Sequence, residues 1–247
     1  MVNEINSSKL KVEEISKNFS GLKAVDNVSF SLQTGEILGL IGPNGSGKTT
    51  IINMVTGLMK PTSGRILVDD RDLTRNKRHH FAREGLARTF QTIRLFKKMT
   101  VFENVEVSGV SMGKTRKEAA LVAYRLLEMF ELSDYADRES GTLDHGNQRR
   151  IEIARALALD PKFLFLDEPA AGLNEEESDA LLDMLKDFPI QMNLGMLIVD
   201  HDMRLIMRLC SKLHVLDHGQ TIAEGLPSEI RKNAQVMEAY FGSKVGV

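Results

Sequence analysis

Short apolar runs alternate with segments of helical periodicity along much of this chain. The apolar runs that resemble strands cover residues 36–41, 163–166 and 196–199. The clearest helical periodicity is found in residues 116–127, 149–159 and 177–187. Strands that alternate with helices in this way are typical of a parallel sheet covered by helices. The pattern therefore predicts an α/β fold.

Two regions depart from this alternation. Residues 10–12, 28–32 and 66–69 have the composition of short strands and are separated by turn residues, which predicts an antiparallel layer beside the parallel sheet. Residues 100–132 are helical in pattern, with no strand signal among them. This second region predicts an inserted helical subdomain.

The end of the chain carries a hairpin signal followed by a helical one. Residues 217–219 predict the turn of a hairpin, and residues 227–240 predict a helical segment. We expect a single domain over residues 1–247. Its core and antiparallel layer would comprise residues 1–91 and 145–247, and the helical subdomain residues 92–144.

Residues 42–50 carry the most informative candidate chemistry. Their sequence, Gly-Pro-Asn-Gly-Ser-Gly-Lys-Thr-Thr, lies between an apolar strand and a helical stretch and completes the pattern of a phosphate-binding loop. Glycines in such a loop let backbone N–H groups face phosphate oxygens at a helix N-terminus. The alternative is a glycine-rich turn without a ligand. The candidate nucleotide-binding residues are Asn44, Gly45, Ser46, Gly47, Lys48, Thr49 and Thr50. Of these, Lys48 is expected to reach the β- and γ-phosphates of ATP, and Thr49 to offer its hydroxyl to Mg²⁺.

Two further candidate positions follow apolar strands. Asp167 and Glu168 come directly after residues 163–166, at the edge of a parallel sheet where ligands bind. Asp167 suits Mg²⁺ coordination, and Glu168 suits polarising a water that attacks the γ-phosphate. His201 follows residues 196–199 and is placed to donate a hydrogen bond to that phosphate. Taken alone, Asp167 and Glu168 are equally well explained as two solvated acids, and His201 is more often explained as an exposed loop histidine.

Composition narrows the choice of partners. A formal net charge of −2 and a pI near 6.3 provide no basic field that favours nucleic acid. The single cysteine, Cys210, lies in an apolar-rich run, which favours a packing role. The chain has neither a signal-peptide pattern nor a run of eighteen apolar residues. We expect a cytoplasmic protein without a membrane span.

These motifs together resemble a known family. Six motifs occur in the order found in the nucleotide-binding subunits of ATP-binding cassette (ABC) transporters. They are the phosphate loop, Gln91 within Arg-Thr-Phe-Gln, the segment 143–150, the pair Asp167 and Glu168, residues 171–174 and His201. The resemblance covers essentially all 247 residues. It implies a RecA-like P-loop NTPase core with an antiparallel β subdomain and an inserted α-helical subdomain.

The resemblance also implies how the site operates. Two such subunits close head to tail, with each ATP between the phosphate loop of one subunit and the signature segment of the other, here represented by Asp144 and Gly146. Phe19 and Val25 are then expected to pack against adenine, although Phe19 is also explained as a core residue. Gln91 is expected to sense Mg²⁺ and the γ-phosphate, while Glu168 and His201 drive hydrolysis.

The signature segment departs from the family pattern. It reads Leu-Asp-His-Gly-Asn over residues 143–147, where the family usually has Leu-Ser-Gly-Gly-Gln. The carboxylate of Asp144 stands where a hydroxyl normally meets the γ-phosphate and should repel it, which favours an asymmetric heterodimer. The alternative is that Asp144 turns away and hydrolysis is normal, since aspartate is as good a helix N-cap as serine.

Within the family, residues 88–96, 99–105, 151–157, 170–174 and 239–242 are similar to the importer subunits for branched-chain amino acids or a related small polar solute. That similarity implies two membrane permease subunits, an external solute-binding protein that acts through them, and a location on the inner face of the membrane. A groove formed by Arg94, Leu95, Phe96 and Met99 would receive a permease helix. The alternatives are a soluble assembly ATPase of the iron–sulfur type, a lipopolysaccharide-export ATPase, and a module that binds nucleotide with little turnover.

Overall fold

The computed structural model describes residues 7–200 and 202–241. A six-stranded sheet forms its centre. In spatial order the strands are β10 (Gln220–Gly225), β9 (Lys212–Asp217), β3 (Ile37–Ile41), β8 (Gly195–Val199), β7 (Phe163–Asp167) and β6 (Leu86–Arg88). The strands from β9 to β6 pair in parallel, and β10 pairs antiparallel with β9 as the second strand of the predicted hairpin. The predicted α/β class is confirmed.

The central strands are buried on both faces of the sheet. Successive side chains therefore pack alternately into two different hydrophobic cores. In β3, Leu38 and Leu40 belong to the core shared with the antiparallel sheet. Ile37 and Ile41 belong to the core formed with the helices on the other face. Burial on both sides explains why these strands are apolar throughout.

A second, four-stranded sheet covers the core that contains Leu38 and Leu40. Its order is β2 (Leu22–Gln33), β1 (Lys9–Phe19), β4 (Ser63–Val68) and β5 (Arg71–Asp72), all antiparallel. The strands β1 and β2 are more than twice as long as predicted. Glu14 and Asn27 adopt left-handed backbone conformations, with φ of 48° and 55°, at irregularities that interrupt the apolar alternation. The predicted strand end at Asp69 is wrong, because φ of 49° places Asp69 in a turn.

Helices cover the remaining surfaces. They are α1 (Lys48–Val55), α2 (Arg78–Arg83), α3 (Val101–Ser111), α4 (Arg116–Met129), α5 (His145–Leu157), α6 (Glu175–Lys186), α7 (Phe188–Gln191), α8 (Met203–Leu209), α9 (Pro227–Ile230) and α10 (Ala234–Phe241). Both α3 and α4 lie in the inserted segment and pack on each other and on α5. None of the described helices is both long enough and apolar enough to cross a membrane.

Capping side chains account for the differences between predicted and observed helix bounds. The side chain of Asp144 accepts a hydrogen bond from the Asn147 amide and starts α5 four residues earlier than predicted. The predicted helix over residues 227–240 is instead two helices. Asn233 accepts hydrogen bonds from the amides of Gln235 and Val236, which caps α10 and separates it from α9.

Candidate nucleotide-binding site

The loop between β3 and α1 has the conformation that its glycines permit. Gly47 is the N-cap of α1 with φ of 104°, a region that other residues rarely adopt. A Cβ atom on Gly47 would lie 2.7 Å from the carbonyl oxygen of Ala24. Strand β2 therefore packs directly against the loop, and this contact explains the requirement for glycine.

The interior of the loop contains an ammonium group and a hydroxyl suited to phosphate. The Lys48 Nζ donates to the carbonyl oxygens of Gly42 and Pro43 at 2.7 and 2.8 Å. Burial lowers the pKa of Lys48. The negative charges of Glu168 and Asp167 oppose this effect and raise the pKa, but burial has the larger influence. The buried Ser46 Oγ has no hydrogen-bond partner among the described residues. Asn44 and Gly45 lie exposed on the loop, and Thr50 follows within α1. These groups fit a ligand rich in oxygen acceptors.

A cavity of about 400 Å³ beside the loop brings together the three residues predicted to hold Mg²⁺. Thr49, Gln91 and Asp167 all line it, although they belong to separate segments of the chain. The described residues contain no cluster of three or more histidine, cysteine, aspartate or glutamate side chains able to hold a metal. This combination suits Mg²⁺, which usually takes one or two protein carboxylates and completes its coordination with waters and substrate phosphates.

Asp167 is held in that cavity by Arg88, a residue whose role the sequence did not indicate. The Arg88 Nη2 lies 3.1 Å from Asp167 Oδ2, and both side chains are less than a tenth exposed. The other terminal nitrogen of Arg88 donates to Asn53 Oδ1 at 2.7 Å. Burial raises the pKa of Asp167, and the guanidinium of Arg88 opposes that rise. Arg88 therefore orients the carboxylate and compensates its charge.

Glu168 and Gln91 meet at the end of β7. The Gln91 Nε2 donates to Glu168 Oε2 at 2.8 Å. Glu168 has φ of 49°, and its amide donates to the carbonyl oxygen of Val199 in β8 at 2.7 Å. Asp167 is the last residue of β7, and the left-handed backbone at Glu168 turns the chain away from the strand. Two residues predicted to act in hydrolysis are thus in direct contact.

His201, the third residue predicted to act in hydrolysis, lies outside the described residues. Its neighbours show where the segment runs. Asp200 directly follows β8 and is buried. Asp202 caps α8 by accepting hydrogen bonds from the amides of Arg204 and Leu205. The strand β8 ends at the same edge of the sheet as β7, since the two strands are parallel neighbours.

The two residues predicted to contact adenine have different environments. Phe19 ends β1 with 40% of its surface exposed and has the ammonium of Lys17 at 5.3 Å from its ring centroid. That exposure favours a stacking platform over a core role. Val25 is completely buried and packs against Gly47. The adenine contact of Val25 stays a prediction, and in this structure the side chain is fully covered by protein.

The signature segment lies in a separate cavity of about 340 Å³, which Asp144, Gly146 and Asn147 line. None of the phosphate-loop residues lines this cavity. Both carboxylate oxygens of Asp144 accept hydrogen bonds from Asn147, at 2.8 Å from the backbone and 2.7 Å from the side chain. The backbone bond is the main cause that lowers the pKa of Asp144. The side chain is therefore ionised at neutral pH and is oriented toward its own helix.

The comparisons with known proteins agree with this geometry. Residues 25–171 match the ABC transporter family, and residues 220–245 match the branched-chain amino acid ATP-binding cassette transporter family. The chain is 41% identical to the high-affinity branched-chain amino acid transport ATP-binding protein LivG of Escherichia coli and 38% identical to BraF of Pseudomonas aeruginosa. Each alignment covers 94% of this chain and 97% of the relative.

The chain is also similar to one solved structure and to one relative that serves a different transport system. The ADP conformation of MJ1267, an ATP-binding cassette of an ABC transporter, superposes with a TM-score of 0.86 at 32% identity, over 95% of this chain and 99% of that one. The lipopolysaccharide export system ATP-binding protein LptB of Haemophilus influenzae is 35% identical over 95% of this chain and 98% of its own. The similarity to LptB is lower than the similarity to LivG and BraF.

Proposed function

The chain belongs to the ABC transporter family of ATP-binding proteins, and we propose that it is the ATPase subunit of an importer for branched-chain amino acids. The contact between Gln91 and Glu168 at the cavity beside the phosphate loop carries the assignment of ATP hydrolysis. The match of residues 220–245 to the branched-chain amino acid transporter family favours that cargo. The lower similarity to LptB makes lipopolysaccharide export the less supported alternative.

In the proposed site, the loop amides and Lys48 bind the phosphates of ATP, and the exposed ring of Phe19 stacks on the adenine. Thr49, Gln91 and Asp167 would hold Mg²⁺, and the ion would neutralise charge on the phosphates. Glu168 accepts a proton from the attacking water as the water oxygen bonds to the γ-phosphorus, and the bond from that phosphorus to the bridging oxygen breaks, which releases ADP. His201 is assigned to the γ-phosphate, and Gln91 orients Glu168 through their hydrogen bond.

The separation of the signature segment from the phosphate loop supports a dimer. Within the described residues, the cavity at Asp144 and the cavity at Thr49 share no lining residue. We infer from this separation that a signature segment contacts ATP from another subunit. Asp144 is ionised, and even while it caps α5 it would bring a negative charge close to the γ-phosphate there. We therefore assign the second subunit to a different ABC ATPase, which makes the working unit a heterodimer.

The surface after Gln91 supports attachment to membrane permeases. Phe96 is 53% exposed, and the guanidinium of Arg155 lies 5.2 Å from the centroid of its ring. A groove of about 180 Å³ next to this region is lined by Arg78, Phe90 and Arg155 among others. Exposed aromatic and basic side chains around a groove suit an amphipathic partner helix. We propose that two permease subunits bind through surfaces of this kind and hold this chain on the inner face of the membrane. The external solute-binding protein would act through the permeases.

The test is recovery of partners from native membranes. The tagged chain is purified after detergent solubilisation, and co-purifying proteins are identified by mass spectrometry. We expect two permeases and a second, different ABC ATPase. The variant Phe96→Glu should lose the permeases, whereas Ile190→Glu should keep them, because Ile190 is even more exposed, at 81%, but lies on α7 and not in the segment after Gln91.

The alternatives give different results in the same experiment. Recovery of soluble proteins alone would contradict the importer and favour an assembly ATPase. Recovery of only a second copy of this chain would contradict the heterodimer. Permeases together with negligible ATP turnover of the purified complex would favour the module that binds nucleotide without hydrolysing it.

A further inference from the structure

Among the described residues, the most deeply buried arginine, lysine, aspartate or glutamate is an arginine near the start of α5. Arg149 is fully buried and lies five residues after the N-cap Asp144. Its terminal nitrogens donate to the carbonyl oxygen of Phe90 at 2.8 Å and to that of Gln91 at 3.0 Å. Its Nε has no hydrogen-bond partner among the described residues. Arg149 therefore uses its fork on the backbone of the loop that carries Gln91.

Glu152, one turn further along α5, completes this arrangement. One carboxylate oxygen accepts from Arg149 at 2.7 Å. The other oxygen faces the amides of Phe90 and Arg94, at 3.4 and 3.3 Å. The side chain of Glu152 is only 4% exposed. Arg149 and Glu152 thus bind carbonyl and amide groups of the same five-residue segment, residues 90–94.

We propose that Arg149 and Glu152 are positioning residues that hold residues 90–94 so that the side chain of Gln91 meets Glu168. This inference deepens the proposed function and rests on it, because it assigns to the pair a role in ATP hydrolysis. The pair also connects two sites. The helix that begins at the signature segment thus also carries the side chains that bind the loop of Gln91.

A purely structural role explains these contacts less well. Burying two charges is costly, and an apolar pair of similar volume often stabilises a protein as well or better. Here the hydrogen bonds of the pair go mainly to the backbone of one loop. That loop carries Gln91, whose Nε2 lies 2.8 Å from Glu168 Oε2. Lysine would keep the charge at position 149, but its point-like ammonium does not reproduce the guanidinium fork that reaches both carbonyl oxygens.

Hydrogen exchange measures the position of the loop without relying on activity. The variants are Arg149→Lys and the apolar double variant Arg149→Met with Glu152→Met, which avoids leaving one charge unpaired. In the full chain we expect the amides of residues 88–96 to exchange about tenfold faster in both variants, because local opening becomes easier. Residues 163–167 of β7 should exchange as in the wild type. Arg65→Met, which removes an exposed ion pair with Glu13, serves as the control and should change neither segment.

Kinetics in the Gln91→Ala background separate positioning from general damage. Alone, Arg149→Lys should lower kcat about 10- to 100-fold, the range expected from misplacing a catalytic group by about 1 Å. The KM for ATP should change less than threefold, because the phosphate loop is untouched. In Gln91→Ala, the added Arg149→Lys should cause no further loss, since its effect passes through Gln91.

The results that overturn the proposal are distinct from those that overturn the proposed function. Wild-type exchange at residues 88–96 in both variants, or losses of kcat that multiply in the Gln91→Ala background, would show that the pair does not position the loop. An Arg149→Lys chain that unfolds would leave the double variant to decide the exchange test. Absence of ATP turnover in the wild-type complex would instead contradict the proposed function.

Discussion

The side-chain nitrogen of Gln91 lies 2.8 Å from a carboxylate oxygen of Glu168, although the two residues are 77 positions apart in the chain. The sheet makes this contact possible, because β6 leads into Gln91 and its parallel neighbour β7 leads into Glu168. A neutral amide donor fixes the direction of the carboxylate without neutralising its charge. Glu168 is thereby oriented for the proton transfer that we assign to it.

Replacing Glu168 by glutamine should separate hydrolysis from binding. The variant Glu168→Gln keeps the size of the side chain and removes the base, so we expect kcat to fall about 10²- to 10⁴-fold. Binding of ATP should change little, since the phosphate loop is intact. The measurement is steady-state phosphate release together with titration of a fluorescent ATP analogue.

The matched control for this change is Glu128→Gln on α4, an exposed position away from the cavity. Its turnover should equal that of the wild type. A Glu168→Gln variant that keeps more than about a tenth of the wild-type kcat would contradict the role of general base, because that contribution is at least about 10²-fold.

The buried pair of Arg88 and Asp167 predicts a large effect on stability. Arg88→Met leaves the carboxylate of Asp167 without its compensating charge, so the free energy of unfolding should fall by about 3–5 kcal/mol. Arg71→Met removes an ion pair with Glu84 in which Arg71 is 74% exposed, and it should cost at most about 1 kcal/mol. Urea unfolding followed by circular dichroism measures both. Equal losses in the two variants would mean that burial does not determine the strength of this pair.

Local sequence patterns predicted the elements whose surroundings are uniform. The strands around Leu38 and Leu164 are buried on both faces, so an apolar run is enough to indicate them. The loop at Gly47 was predictable because the constraint on its backbone is local. The longer antiparallel strands were only partly indicated, since the left-handed residues Glu14 and Asn27 interrupt their alternation.

Contacts between distant segments were not predictable from the sequence in the same way. Nothing near Arg88 indicates that its guanidinium pairs with Asp167, because their proximity depends on the pairing of β6 with β7. Burial of Val25 likewise depends on how β2 packs against the loop at Gly47. Arg149 is one of several charged residues in its segment, and only the three-dimensional arrangement shows that it is the fully buried one.

Removing the charge of Asp144 should increase turnover in the assembled dimer. Asp144→Ser and Asp144→Asn both keep a side chain able to cap α5, and both remove the carboxylate from the neighbouring ATP site. We expect ATP turnover to rise about fivefold, the factor equivalent to 1 kcal/mol of repulsion between charges about 4 Å apart in a watery site. A rise with serine alone would assign the effect to the hydroxyl. Unchanged turnover in both variants would contradict the hypothesis of a weakened site.

Mild acid should destabilise the protein through His214 in β9. This side chain is completely buried, its Nε2 lies 2.8 Å from the Thr221 hydroxyl, and its Nδ1 lies 3.7 Å from Glu224. Burial lowers the pKa of His214 to about 4; the charge of Glu224 raises it and that of Lys212 lowers it. The native state therefore binds this proton less readily than the unfolded chain, whose histidine has a pKa near 6.5.

The sign of the pH dependence follows from this difference. Because the unfolded state takes up the proton first, the contribution of neutral His214 to stability is lost as the pH falls from about 6.5 toward 4. Between pH 7 and pH 5 the loss should be about 2 kcal/mol. Urea unfolding at the two pH values should show this loss in the wild type and in His218→Gln, since the side chain of His218 is 95% exposed. In His214→Gln the loss should be smaller by about the same 2 kcal/mol, and an equal loss in all three proteins would show that His214 is not the group responsible.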